Sequence, residues 1–140
     1  MLEIDELWSD VASKGNQLWV WIALERQTRN VVALAFAERC ASTCRELWHS
    51  LPADYRKRAL ICTDDWSAYR CVVASKRHRR VAKQAGETNH IERLTNTLRQ
   101  SCANLVRQTL CFRKDLELHK TRIRMVIDHC NARTDLCAAV

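Results

Sequence analysis

The spacing of apolar positions changes along the chain, and each change predicts a new element. Residues 1–9 predict a strand with Trp8 near its end. Residues 9–16 are mostly polar, contain Gly15 and predict a turn. Gln17 to Glu25 is an apolar run rich in strand formers, long enough for a buried strand. A polar turn over residues 26–30 leads to a third strand, Val31 to Phe36. Three strands with short connections form an antiparallel meander.

Helical spacing then takes over. Cys44, Leu47, Trp48 and Leu51 share one face of a helix over residues 40–51, and Pro52 follows its end. A short strand is expected at Ala59 to Thr63. A short helix follows from Asp65 to about Ala74, with Trp66, Tyr69 and Val73 on one side. A last short strand is expected at Val81 to Lys83. Thr88 or Asn89 suits the N-cap of the next helix, in which Ile91, Leu94, Leu98, Cys102 and Leu105 recur at three- and four-residue steps. The final helix is expected from about Lys114 to Asn131, with Leu116, Ile123, Val126, Ile127 and Cys130 facing inward. A meander followed by alternating helices and strands predicts an α/β chain: a mixed sheet covered by helices, in the element order of the ribonuclease H-like fold.

Composition narrows the class. At 140 residues and 47% hydrophobic content, one domain over residues 1–140 with a real core is expected. Two Gly and one Pro leave little linker composition. No apolar run reaches the roughly 18 residues of a membrane span, and the acidic N-terminus does not read as a signal peptide. The eight cysteines are scattered through apolar patterns without any Cys-x-x-Cys pair. Reduced thiols, mostly buried, in a cytoplasmic protein are therefore expected, with no disulfide and no zinc site.

The formal net charge of +7 points toward a polyanionic partner. Its distribution says more. Lys76, Arg77, Arg79 and Arg80 form a basic run before the helix at Asn89, and Arg93, Arg99, Arg107, Arg113 and Lys114 follow. Such a run is either a solvated face or a set of phosphate contacts.

Three acids add chemistry. Asn89, Glu92, Asn96, Arg99 and Gln100 fall together on a face of the predicted helix adjacent to its apolar stripe. Asp5 and Asp64 stand on or just after predicted strands. Asp, Asp and Glu on strand, strand and helix is the pattern of a two-metal phosphoryl-transfer site, in which two divalent ions about 4 Å apart serve the attacking and leaving oxygens. Clustered carboxylates repel one another, and a bound dication removes that penalty. Each acid also has a plainer reading. Asp5 can be a solvent-facing strand residue, Asp64 or Asp65 an N-cap, and Glu92 a first-turn acid.

The residues themselves resemble a known family. Glu3-Ile-Asp-Glu-Leu-Trp8, Thr63-Asp-Asp-Trp-Ser-Ala-Tyr69, Ile91-Glu-Arg93, Asn96-x-x-Arg99-Gln100 and Glu117-Leu-His119 are similar, in the same order, to the transposase of the IS-one insertion-sequence family. The resemblance implies a ribonuclease H-like catalytic domain with an Asp-Asp-Glu triad that uses two Mg²⁺ or Mn²⁺ ions. By motif the triad falls on Asp5, Asp64 and Glu92, with Asp65 the alternative second ligand. Arg93, Asn96 and Arg99 would contact DNA near the cleaved end, and Glu117 has no assigned role. The implied partners are insertion-sequence ends and target DNA in the bacterial nucleoid, with assembly into homo-oligomers on DNA. The N-terminal DNA-recognition region usual in relatives is absent from this chain. Two rivals stay open: a ribonuclease H-type or junction nuclease on the same fold, and an inactive DNA-binding remnant.

Overall fold

The computed structural model describes residues 1–81, 88–105 and 115–138. Its centre is a five-stranded mixed sheet. The first strand, β1 (Leu2–Asp10), pairs antiparallel with β2 (Gln17–Glu25), which pairs antiparallel with β3 (Val31–Ala37). On its other side β1 pairs in parallel with β4 (Ile61–Thr63), and β4 with β5 (His78–Arg80). The order across the sheet is β3-β2-β1-β4-β5, which puts β1 at the middle.

Period-two alternation sorts the side chains into two cores. On β2, Trp21 and Ala23 join Leu2 and Ile4 of β1 against helix α1 (Ala41–Ser50), which contributes Cys44 and Leu47. Val20, Ile22 and Leu24 turn the other way. With Leu7 they pack against Ile91 and Leu98 of α4 (Asn89–Ser101) and Ile123 and Ile127 of α5 (Leu116–Ala138). The sheet is thus covered on both faces.

The observed elements differ from expectation where polar sequence hides them. Helix α2 (Ala53–Arg58) was not expected, because none of its residues is buried and it carries no apolar period. The helix expected over residues 65–74 shrinks to α3 (Ser67–Arg70), and a turn beyond it still buries Val73. The last strand is His78–Arg80, not 81–83. An edge strand needs no apolar run, and Arg79 and Arg80 are exposed. Val81 is buried just past its end, and residues 82–83 lie outside the described residues. Helix α4 stops at Ser101, and a 3₁₀ turn carries Leu105 into the core. Helix α5 runs further than expected, to Ala138, and Leu116 is exposed rather than inward.

All seven described cysteines are free thiols; Cys111 lies outside the described residues. Only Cys44, Cys62 and Cys102 are fully buried, fewer than expected. No described helix is long and apolar enough to cross a membrane.

One buried acid sets the position of α4. Glu3 is fully buried on β1, and its Oε2 accepts the Ile91 backbone N–H at 2.9 Å. Burial raises its pKa, while the Ile91 N–H and the Arg26 and Arg29 charges pull it down. The Arg26 guanidinium stands 3.4 Å from Oε1. A carboxylate there also suits the positive end of the helix dipole. At the other end of β1, Ser9 Oγ and His119 Nε2 share a buried hydrogen bond of 2.7 Å that ties down α5.

Glu3→Ala should lower stability by roughly 1–3 kcal/mol, because it orphans a buried N–H. Glu3→Gln keeps an acceptor and should lose less. Urea unfolding of the two variants measures the difference. Equal midpoints for both would show that the Glu3–Ile91 bond does not anchor the helix.

Candidate active site at an acidic cleft

The pairing register brings two of the acids side by side. Leu2 pairs with Ile61 and Glu3 with Cys62 along the parallel β1–β4 ladder. Carried two residues further, the same register sets Asp64 beside Asp5. Asp5 also lies two residues from Glu3, so both leave β1 on the face that carries α4. Glu3 holds Ile91, and Glu92 is the next residue. Asp5, Asp64 and Glu92 accordingly line one cleft of about 510 Å³, together with Glu6, Arg39, Asn96 and Arg99.

The electrostatics follow from that crowding. Asp5 is partly buried and its pKa is pushed up to about 7. Loss of solvent is the main cause, and the negative charges of Glu6, Asp64 and Glu92 add to it. Asp64 Oδ1 accepts the Trp66 backbone N–H at 3.1 Å, so this acid also caps the turn into α3. Glu92 is exposed in the first turn of α4, and its Oε1 accepts the Thr88 hydroxyl at 3.1 Å. Asp65 lies elsewhere. Its exposed carboxylate pairs with Arg70 at 2.7 Å and Arg80 at 3.3 Å. Between the two adjacent acids, Asp64 is the one that lines the cleft.

Among the described residues, no three His, Cys, Asp or Glu side chains stand at metal-ligating spacing. The donor set, three carboxylates around one cleft, has the hard oxygen chemistry that Mg²⁺ or Mn²⁺ takes.

Glu6 is not available for such a role. Its side chain is 2% exposed and both oxygens are taken. Arg39 donates from Nε at 2.6 Å and from Nη2 at 2.5 Å, and Tyr69 donates its hydroxyl at 2.6 Å. The Arg39 guanidinium is stacked 4.5 Å from the Trp66 ring and 5.2 Å from Trp19. This Arg39–Glu6–Tyr69 cluster forms a rigid cleft wall that the linear sequence did not reveal. Alternation along β1, which turns Glu6 away from Asp5, is the signal that separates their roles.

The basic residues divide among several places. Asn96 and Arg99 line the acidic cleft. Arg93 lines a different one, between α4 and α5. Lys76 is exposed in a 3₁₀ turn, and Arg77 donates to the Arg56 carbonyl and stacks over Trp48. Arg79 and Arg80 sit exposed on edge strand β5. None of Lys76, Arg77, Arg79 and Arg80 lines the acidic cleft. Glu117 pairs with Lys120 at 2.8 Å on the surface of α5.

The raised pKa of Asp5 has a stability signature. The folded chain holds this proton up to about pH 7, whereas an ordinary Asp releases it near 3.8. Stability should therefore fall as pH rises through that window and stay low above it. Asp5→Asn removes the effect. After discounting for partial exposure, the variant should be more stable than the parent by on the order of 1 kcal/mol at pH 8 and not at pH 4. Thermal melts at the two pH values test this; a gain of equal size at both would remove the charge explanation.

Known proteins match this chain over most of its length. A family profile described as IS1 transposase matches residues 1–132. The insertion element iso-IS1n protein InsB of Shigella dysenteriae is 36% identical over 129 residues, covering 90% of this chain and 92% of that protein. The insertion element IS1 protein InsB of Shigella flexneri is 38% identical over 117 residues, covering 84% and 86%. The insertion element IS1 4 protein InsB of Escherichia coli K12 is 37% identical over 118 residues, covering 84% and 67%. The profile match runs through the strand, the turn and the helix that carry Asp5, Asp64 and Glu92, and the chain belongs to the IS1 transposase family.

Proposed function

We propose that this chain is the catalytic domain of a DNA transposase, built on a ribonuclease H-like fold, that cuts insertion-sequence ends and joins them to target DNA. One observation carries the reading. Three acids from three separate elements, Asp5, Asp64 and Glu92, line a single cleft in a chain of this family. The sheet order β3-β2-β1-β4-β5 with helices on both faces supports the fold assignment.

Asp5, Asp64 and Glu92 would hold a pair of Mg²⁺ or Mn²⁺ ions, which activate the attacking oxygen and stabilise the leaving one when bound. The chain's own side chains do the rest. Asp5 comes from the rigid middle strand and fixes the floor of the site. Asp64 is oriented by the Trp66 N–H, and Glu92 by the first turn of α4 and Thr88. Asn96 and Arg99 supply an amide and a guanidinium from the same helix, suited to a phosphate beside the acids. The Arg39–Glu6–Tyr69 wall keeps the neighbouring acid out of the site. Without a cation, the acidic cleft repels DNA.

Glu92→Gln should separate binding from chemistry. It removes one negative charge, so DNA affinity without divalent metal should hold or tighten. Single-turnover cleavage in Mg²⁺ or Mn²⁺, on pre-cut element ends if intact DNA is inert, should drop to background. Normal cutting by Glu92→Gln would reduce Glu92 to a helix-terminal acid. Hydrolysis by the parent chain without any strand joining would make it a nuclease instead.

A further inference from the structure

A second cleft lies on the other flank of α4, with the opposite charge. Its volume is about 620 Å³, and Arg29, Arg93 and Arg133 all line it. Among the described residues, no Asp or Glu lines it. Among the described residues, none of the three guanidinium groups makes an ion pair. Arg29 acts at a distance on Glu3, which is buried and already bound by Ile91 and Arg26. His90 also lines the cleft, and its buried Nδ1 has no hydrogen-bond partner. Three like charges around one hollow repel one another unless an anion sits between them.

The guanidinium groups come from three elements. Arg29 sits in the β2–β3 turn, Arg93 on α4 and Arg133 on α5. Arg29 has φ +64°, a left-handed conformation that a non-glycine residue rarely adopts. Its backbone N–H bonds the Glu25 carbonyl at 2.9 Å, which holds the turn in that shape. Strain of this kind collects at sites of function.

Helix α4 is the ridge between the two clefts. Glu92, Asn96 and Arg99 line the acidic side, while His90, Arg93 and Thr97 line the basic side. Ile91, Thr95 and Leu98 are buried beneath. Asn89, Arg93, Asn96 and Gln100 are exposed along the crest, and amides and guanidinium groups are the side chains that meet base edges. A helix is about 10–12 Å across with its side chains, and the major groove of DNA is about 12 Å wide.

We propose that the cleft formed by Arg29, Arg93 and Arg133 binds backbone phosphates of the DNA strand opposite the one entering the acidic cleft, with α4 lying in the groove between them. The inference rests on the transposase reading above and adds Arg29 and Arg133 to the DNA contacts.

The test uses the full chain carrying Arg29→Gln and Arg133→Gln, which keep a polar side chain and lose the charge. Both residues are exposed, so the variant should melt with the parent; each single variant should show part of the effect. Duplex binding measured across a salt series should weaken by about tenfold or more, and the slope of log affinity against log salt should fall by about 2. Methylphosphonates placed in the uncut strand should weaken parent binding and leave the double variant unchanged. Inorganic phosphate is the control ligand. If it occupies the cleft while the double variant binds DNA like the parent, the site belongs to a free anion and the proposal is wrong. Unchanged affinity and slope, with the parent still cutting DNA, overturn this inference alone. A parent chain that binds no DNA overturns the transposase reading as well.

Discussion

The bond between the Glu3 carboxylate and the Ile91 N–H fixes the geometry of everything around it. It joins the middle strand of the sheet to the first turn of α4. A carboxylate buried this completely loses most of its hydration, a cost of several kcal/mol for an isolated ion. The helix N-terminus, one direct N–H donor and the Arg26 guanidinium offset that cost. Because Asp5 and Glu92 are near neighbours of the two bonded residues, the same contact decides how far apart the cleft acids stand. Shifting α4 by one turn would move Glu92 by about 5 Å and disconnect the helix from Asp5. A structural acid therefore positions the acids of the cleft.

The acidic cleft works against the stability of the chain that contains it. The Asp5 pKa is raised to about 7 by burial and by three neighbouring acids, so the cleft gathers mutually repelling charge. Glu6 shows the contrast. It lies one residue away, and Arg39 and Tyr69 engage both of its oxygens. Glu3 and Glu6, on opposite faces of β1, are both satisfied by donors, and Asp5 between them is left among like charges. Such conflict between local stability and arrangement is expected at functional sites.

Much of this was legible in the chain because burial leaves a periodic trace. The meander, α1, α4 and the candidate acids follow from apolar spacing and from the residues on the adjacent helix face. What stayed hidden lacks that trace. Helix α2 buries nothing, and β5 is an edge strand of His-Arg-Arg that reads as a charge run. Glu3 and Asp5 have the same position on a strand face, so their roles separate only when Ile91 is seen against one of them. The basic run suggested a surface leading into the site. In three dimensions it follows the edge of the sheet, and Arg77 is engaged by Trp48 and the Arg56 carbonyl. The four basic side chains do not line the acidic cleft, but Val81, directly after them, does.

The edges of the sheet carry a further consequence. An open sheet has two rows of unpaired backbone groups, each a template for pairing with another chain. At β5 the exposed Arg79 and Arg80 place like charges along the edge, so two copies approaching edge to edge would repel. At the start of β3 the protection is different. The Asn131 side chain accepts the Val31 N–H at 2.8 Å and donates to the Val31 carbonyl at 3.0 Å. A single amide from α5 thus acts as a one-residue strand and closes the ladder there. Where that amide sits, the edge offers a second copy no free backbone pair, and β3 cannot be extended from that end.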